Sequence, residues 1–80
     1  MVTLGEKTYP WHTHVDFDDI FLVIQGQLTI EMRTEAGGIE RVSLGSGDLF
    51  VVPRGVEHRP VTDGSAYFLL IEPTVQGRID

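Results

Sequence analysis

Eighty residues make one small domain, residues 1–80, and a chain of this length buries only about 60 to 65% of its extended-chain surface, so its core is thin. Twelve acidic residues against six basic ones give a net charge of −6 with no cluster of Lys and Arg, which argues against a nucleic-acid partner. With no Cys, no disulfide supplements the core, and a metal or a second subunit is the expected supplement.

The start, Met1-Val2-Thr3-Leu4-Gly5-Glu6, has neither the basic nor the apolar region of a secretion signal, which points to a cytoplasmic protein. The longest apolar runs, residues 20–24 and 66–71, fall far short of the roughly 20 residues that span a bilayer, so no membrane partner is expected.

Residues 12–14 read His-Thr-His. On a strand, residues i and i+2 share a face, so His12 and His14 present their imidazoles to one space and make half a metal site. Trp11 alternates with His12 and is expected to point away. Asp16 and Asp18 read as a solvated acidic loop or as acceptors for histidine N–H groups. Asp19 is in phase with Phe21 and Val23, so the three face one interior.

Residues 20–24, Ile-Phe-Leu-Val-Ile, are apolar on both faces, whereas an antiparallel strand of an isolated domain has a polar outer face. The outside of this strand is therefore expected to be covered. The cover is either a second copy of the chain or residues 1–4 with the last strand, and a homodimer is the expectation.

Gln25-Gly26-Gln27 predicts a hairpin into residues 28–33, where Leu28, Ile30 and Met32 alternate with Thr29, Glu31 and Arg33 as a buried and a wet face. Ala36-Gly37-Gly38 is a turn, 39–44 a strand, and Gly45-Ser46-Gly47-Asp48 a tight turn. Residues 50–52 form a strand stopped by Pro53, followed by Arg54-Gly55-Val56-Glu57 and the third histidine, His58. A last strand, 67–72, ends at Pro73, and 74–80 reads as a tail. Short strands between Gly-rich turns make an all-β antiparallel sandwich or small barrel.

Two segments carry a family resemblance. His12, His14, Asp19 and Gly26, in residues 12–26, fall at the last four marked positions of G-x5-H-x-H-x(3,4)-E-x6-G, and Gly47, Pro53, Gly55 and His58, in residues 47–62, match G-x5-P-x-G-x2-H-x3-N. The chain thus resembles the small single-domain cupins, often labelled mannose-6-phosphate-isomerase-like. It departs from them at Asp19, where the family usually has Glu, at Thr62 in place of Asn, and at Gly5, one residue further from the histidine pair.

The resemblance implies a jelly-roll barrel of about six to eight short strands. It also implies one divalent transition metal, Fe, Mn, Co, Ni, Cu or Zn, on His12, His14, Asp19 and His58, with Asp19 in direct or water-mediated contact because its arm is one methylene short. The activity it implies is that of an oxygenase- or isomerase-like enzyme; the alternative is a non-catalytic ligand-binding or structural module. Relatives usually carry extra strands before the histidine pair, where this chain has eleven residues, which adds to the expectation of a homodimer.

None of the six Lys and Arg falls in phase with the four candidate ligands, so the expected substrate is a small neutral or weakly acidic molecule and not a sugar phosphate. Glu57 is the candidate general base, and no catalytic residue is otherwise assigned. Tyr9, Trp11, Phe17, Phe50 and Tyr67 are candidates for pocket lining against a default of core packing, and Arg54 and Arg59 are expected in solvent.

Overall fold

A computed structural model describes residues 2–5 by their backbone, and residues 9–62 and 66–73 in full; the expected tail at 74–80 lies outside the described residues. Seven strands occur among the described residues: β1 (Val2–Gly5), β2 (Asp19–Gln25), β3 (Leu28–Arg33), β4 (Ile39–Leu44), β5 (Leu49–Val52), β6 (His58–Val61) and β7 (Ala66–Ile71). They form two antiparallel sheets, β1-β7-β2-β5 and β4-β3-β6, which enclose the core as a jelly-roll barrel.

Alternation decides what fills the interior. Phe21 and Val23 of β2 and Phe68 of β7 meet Leu28, Ile30 and Met32 of β3, with Leu44, Val52 and Ala66 closing the cluster. Asp19 shares the inward phase of Phe21 and Val23, as its position in the sequence predicts, and is 1% exposed.

The link at Gly26 is not a hairpin. β2 pairs with β5 and β7, and β3 with β4 and β6, so Gln25-Gly26-Gln27 turns a corner between the sheets. Gly26 has φ of 89°, a left-handed value that only glycine adopts without penalty. The Gly45–Asp48 turn also changes sheet, and there Val23 N–H donates to Asp48 O at 3.0 Å and Gly47 N–H to Val23 O at 2.7 Å. Residues 34–38 make the true hairpin, between β3 and β4.

The outer face of β3 is not simply wet. Register places Glu31 opposite Arg41 on β4 and Arg59 on β6, and both guanidinium Nε atoms donate to its carboxylate at 2.8 Å. Arg59 also lies 4.5 Å from the centroid of the Trp11 ring, with Arg33 at 4.1 Å. Arg59 is thus held in a charged and aromatic lattice and not free in solvent, and Trp11 points away from the interior.

The bonds from Arg59 and then Arg41 hold the Glu31 carboxyl below its ordinary 4.5. A depressed carboxyl stabilises the fold above its unfolded pKa and loses that contribution as pH falls through the folded one. Glu31→Gln is expected to cost about 1 to 2 kcal/mol near neutral pH, discounted for the exposed Arg41, and less at an acid pH below the folded pKa of Glu31. Urea midpoints of the two proteins at the two pH values check this, and an equal cost at both would refute it.

Candidate metal centre

His12 and His14 sit on a short segment held to β6 by one antiparallel bridge, in which His12 N–H donates to His58 O and His58 N–H to His12 O, each at 3.0 Å. A continuous strand is therefore unnecessary for the pair to face one space. The Pro53–Gly55 turn fixes the other end, since Gly55 N–H donates to His14 O at 2.7 Å and Gly55 has φ of 84°. Phe17 stacks on the His14 ring with centroids 4.5 Å apart, and Phe21 meets His58 edge-on.

These supports aim three nitrogens at one oxygen. Asp19 Oδ2 lies 2.8 Å from His58 Nε2, 3.2 Å from His14 Nε2 and 3.6 Å from His12 Nε2. Donor atoms of His12, His14, Asp19 and His58 all lie within 4.8 Å of one another, as a site that could hold a metal ion requires. Asp19 starts β2, and its Oδ2 lies 2.8 to 3.6 Å from all three rings.

Tautomers sharpen the point. His58 Nδ1 lies 2.8 Å from Val56 O and His12 Nδ1 3.2 Å from Pro10 O, so in a neutral ring each Nδ1–H donates outward and Nε2 turns its lone pair inward. Lone pairs of imidazole and carboxylate cannot face one another at 2.8 Å without positive charge between them. A proton serves one pair, whereas a metal ion serves all of them. His14 Nε2 and Asp19 Oδ1 are buried with no hydrogen-bond partner, which is the condition a cation relieves.

Backbone carbonyls, not Asp16 or Asp18, receive the outward N–H groups of His12 and His58. Asp18 accepts the Arg54 N–H at 2.8 Å and pairs with its side chain at 3.5 Å. Glu57 is not at the centre: its carboxylate pairs with Arg33 at 2.9 Å, on the outer face, so it is no general base here.

Sequence reasoning missed Glu72. Its Oε2 lies 3.4 Å from His14 Nε2, and burial followed by the neighbouring Asp19 carboxyl pushes its carboxyl above the usual range, against the pull of His14 and His12. Alternation along β7 could have found it, since Phe68 and Leu70 face inward and Glu72 continues their phase.

Two cavities flank the centre. One, of about 250 Å³, is lined by Tyr9, Pro10, His12, Pro60, Phe68 and Leu70 and is almost wholly apolar. The other, of about 420 Å³, has Phe17, Ile20, Arg54, Ile71 and Glu72 in its walls. Tyr9 and Phe17 therefore line cavities beside the centre, Phe50 packs against the core, and Tyr67 is exposed. No helix among the described residues is long and apolar enough to cross a membrane.

Known proteins resemble this chain in sequence and fold. Residues 1–72 match the Cupin_2 family, described as a cupin domain. A 3-hydroxyanthranilate 3,4-dioxygenase of Bacillus thuringiensis is 40% identical over 60 residues, 74% of this chain and 34% of that protein. An acireductone dioxygenase of Danio rerio is 34% identical over 59 residues, 74% of this chain and 32% of that protein. The chain spans only about a fifth to two fifths of the length of the curated relatives it matches.

Among solved structures, a cupin-2 domain containing protein from Shewanella frigidimarina superposes with a TM-score of 0.81 at 33% identity, covering 91% of this chain and 67% of that one. The match over residues 1–72 and the shared barrel establish that the chain belongs to the cupin-domain family.

Proposed function

We propose that this cupin holds one divalent transition metal on His12, His14, Asp19 and His58 and acts as an oxygenase- or isomerase-like enzyme on a small neutral or weakly acidic molecule. The convergence of three Nε2 atoms on Asp19 Oδ2 carries the reading. The similarity to two dioxygenases supports the reaction class. The apolar cavity beside His12 suits the uncharged part of such a substrate. Arg54, the basic residue in the walls of the other cavity, already pairs with Asp18, which leaves a phosphate poorly served.

When bound, the ion would polarise a carbonyl or enol oxygen as a Lewis acid. The chain's own residues do the rest. Val56 O and Pro10 O set the tautomers of His58 and His12, and Phe17 holds the plane of His14. Tyr9, Phe68 and Leu70 exclude water from the side where the apolar cavity opens.

Elemental analysis of protein purified without added metal, then oxygen uptake with a panel of enediol and catechol-like compounds, tests the proposal. Metal without turnover would favour the non-catalytic binding module. Absence of metal, with none taken up on titration, would sink both. The reading includes a cytoplasmic location, which cell fractionation checks.

We also propose a homodimer, with the acidic balance opposing nucleic acid. Register aligns Ile20 with Val51 and Ile71, and Leu22 with Leu49 and Leu69, as one apolar outer face of the first sheet. Leu49 is 56% exposed, Val51 41% and Ile71 42%. β1 pairs along the edge of β7 and so lies beside this face, not over it. A second copy, equally uncharged there, covers it by sheet-on-sheet packing. Light scattering is expected to give a dimer for the parent and a monomer for Val51→Lys; a monomeric parent at micromolar concentration contradicts the proposal.

A further inference from the structure

We propose that Glu72 is a fifth protein donor to the metal centre, an inference that rests on the metal-binding reading above. Two donors, each about 2.0 to 2.2 Å from one ion, stand about 2.8 to 4.4 Å apart. The three distances from Asp19 Oδ2 to the histidines, 2.8, 3.2 and 3.6 Å, fall in that range. So does the 3.4 Å from Glu72 Oε2 to His14 Nε2.

The sheet builds this contact. Ile20 pairs with Ile71 at the end of the β2–β7 ladder, so the next position along brings Asp19 and Glu72 face to face. Two carboxylates brought close together disfavour each other's charge unless a cation lies between them. His14 Nε2, buried and without a hydrogen-bond partner, stands between Asp19 at 3.2 Å and Glu72 at 3.4 Å. Glu72 lies outside the group of four whose donors are mutually within 4.8 Å, but its side chain is 36% exposed and has an extra methylene to swing inward.

Two consequences follow for the ion. A second carboxylate neutralises a divalent charge, and a fifth donor disfavours the tetrahedral shell that suits Zn²⁺. Carboxylate oxygen suits Mn²⁺, so Glu72 should favour Mn²⁺ relative to Zn²⁺.

Affinities of the parent, Glu72→Gln and Glu72→Ala for Mn²⁺ and Zn²⁺, measured by chelator competition at one pH, test this. Both variants are expected to lose about tenfold or more for Mn²⁺ and only about threefold or less for Zn²⁺. The visible bands of Co²⁺-loaded protein should shift toward a lower coordination number in Glu72→Gln. Affinities unchanged for both ions overturn the proposal while leaving the four-residue centre standing. An equal loss for the two ions would make Glu72 a support for Asp19 and not a donor, which also overturns it. A parent that binds neither ion overturns this inference together with the reading on which it rests.

Discussion

Replacing His58 with Ala is expected to reduce metal affinity by roughly 100- to 1000-fold, if a binding free energy of about 10 to 16 kcal/mol is shared among four ligands. The same loss is expected for His12→Ala and His14→Ala, because each ring sends its Nε2 to the same carboxylate oxygen. Asp19→Ala should cost as much, since its Oδ2 touches all three. Asp19→Glu is expected to bind worse than the parent: the longer arm must fit at a position 1% exposed, where an extra methylene strains its surroundings.

Competition with a chromogenic chelator measures all five. Loading should also raise the melting temperature of the parent, because an ion that binds only the folded chain stabilises it by mass action. Acid competes for the same nitrogen lone pairs, so that stabilisation fades as pH falls. A His58→Ala protein that keeps parental affinity would show that the convergence on Asp19 is an ion-independent hydrogen-bond network.

Much of this centre is legible in the sequence because its parts are local. His12 and His14 need only i, i+2 spacing, and His58 needs the Pro53-Arg54-Gly55 turn, whose glycine at φ of 84° ties back to His14. Glu72 is harder to read. Alternation along β7 gives its phase, but its place beside Asp19 and His14 depends on the register of β2 against β7, Ile20 on Ile71, which the local sequence does not encode.

The same limit explains the corner at Gly26. A period of two identifies strands on either side of a short polar link but is silent about whether they share a sheet, so the sequence suggests a hairpin where the chain changes sheet. It explains Glu31 too. An acidic residue on a wet face looks solvated until the neighbouring strands bring Arg41 and Arg59 to its two oxygens. Glu57 errs in the opposite sense: adjacent to His58 in sequence and just before β6, it turns its carboxylate to Arg33 instead of the centre.

Phe21→Ala is expected to cost about 3 to 5 kcal/mol, the range for emptying a buried aromatic site. Phe21 is fully buried, its ring meets Phe68 and His58 at 6.1 Å between centroids, and it lies two residues from Asp19 on the same face. At about 0.05 to 0.15 kcal/mol per residue, 80 residues hold only about 4 to 12 kcal/mol, so this one change removes about a quarter or more of the fold's stability. The core and the metal centre share β2, and the variant should therefore lose metal affinity as well, although Phe21 donates nothing to the ion. Saturating metal, at about 100 times the dissociation constant, returns roughly 2.7 kcal/mol to any folded chain that still binds it. Urea unfolding of parent and variant, with and without metal, separates the terms. If Phe21 supports the histidines, metal stabilises the variant less than the parent at equal concentration. An equal metal increment in both would show that core and centre are independent, and a loss below about 1 kcal/mol would mean that Phe21 does not fill the interior it faces.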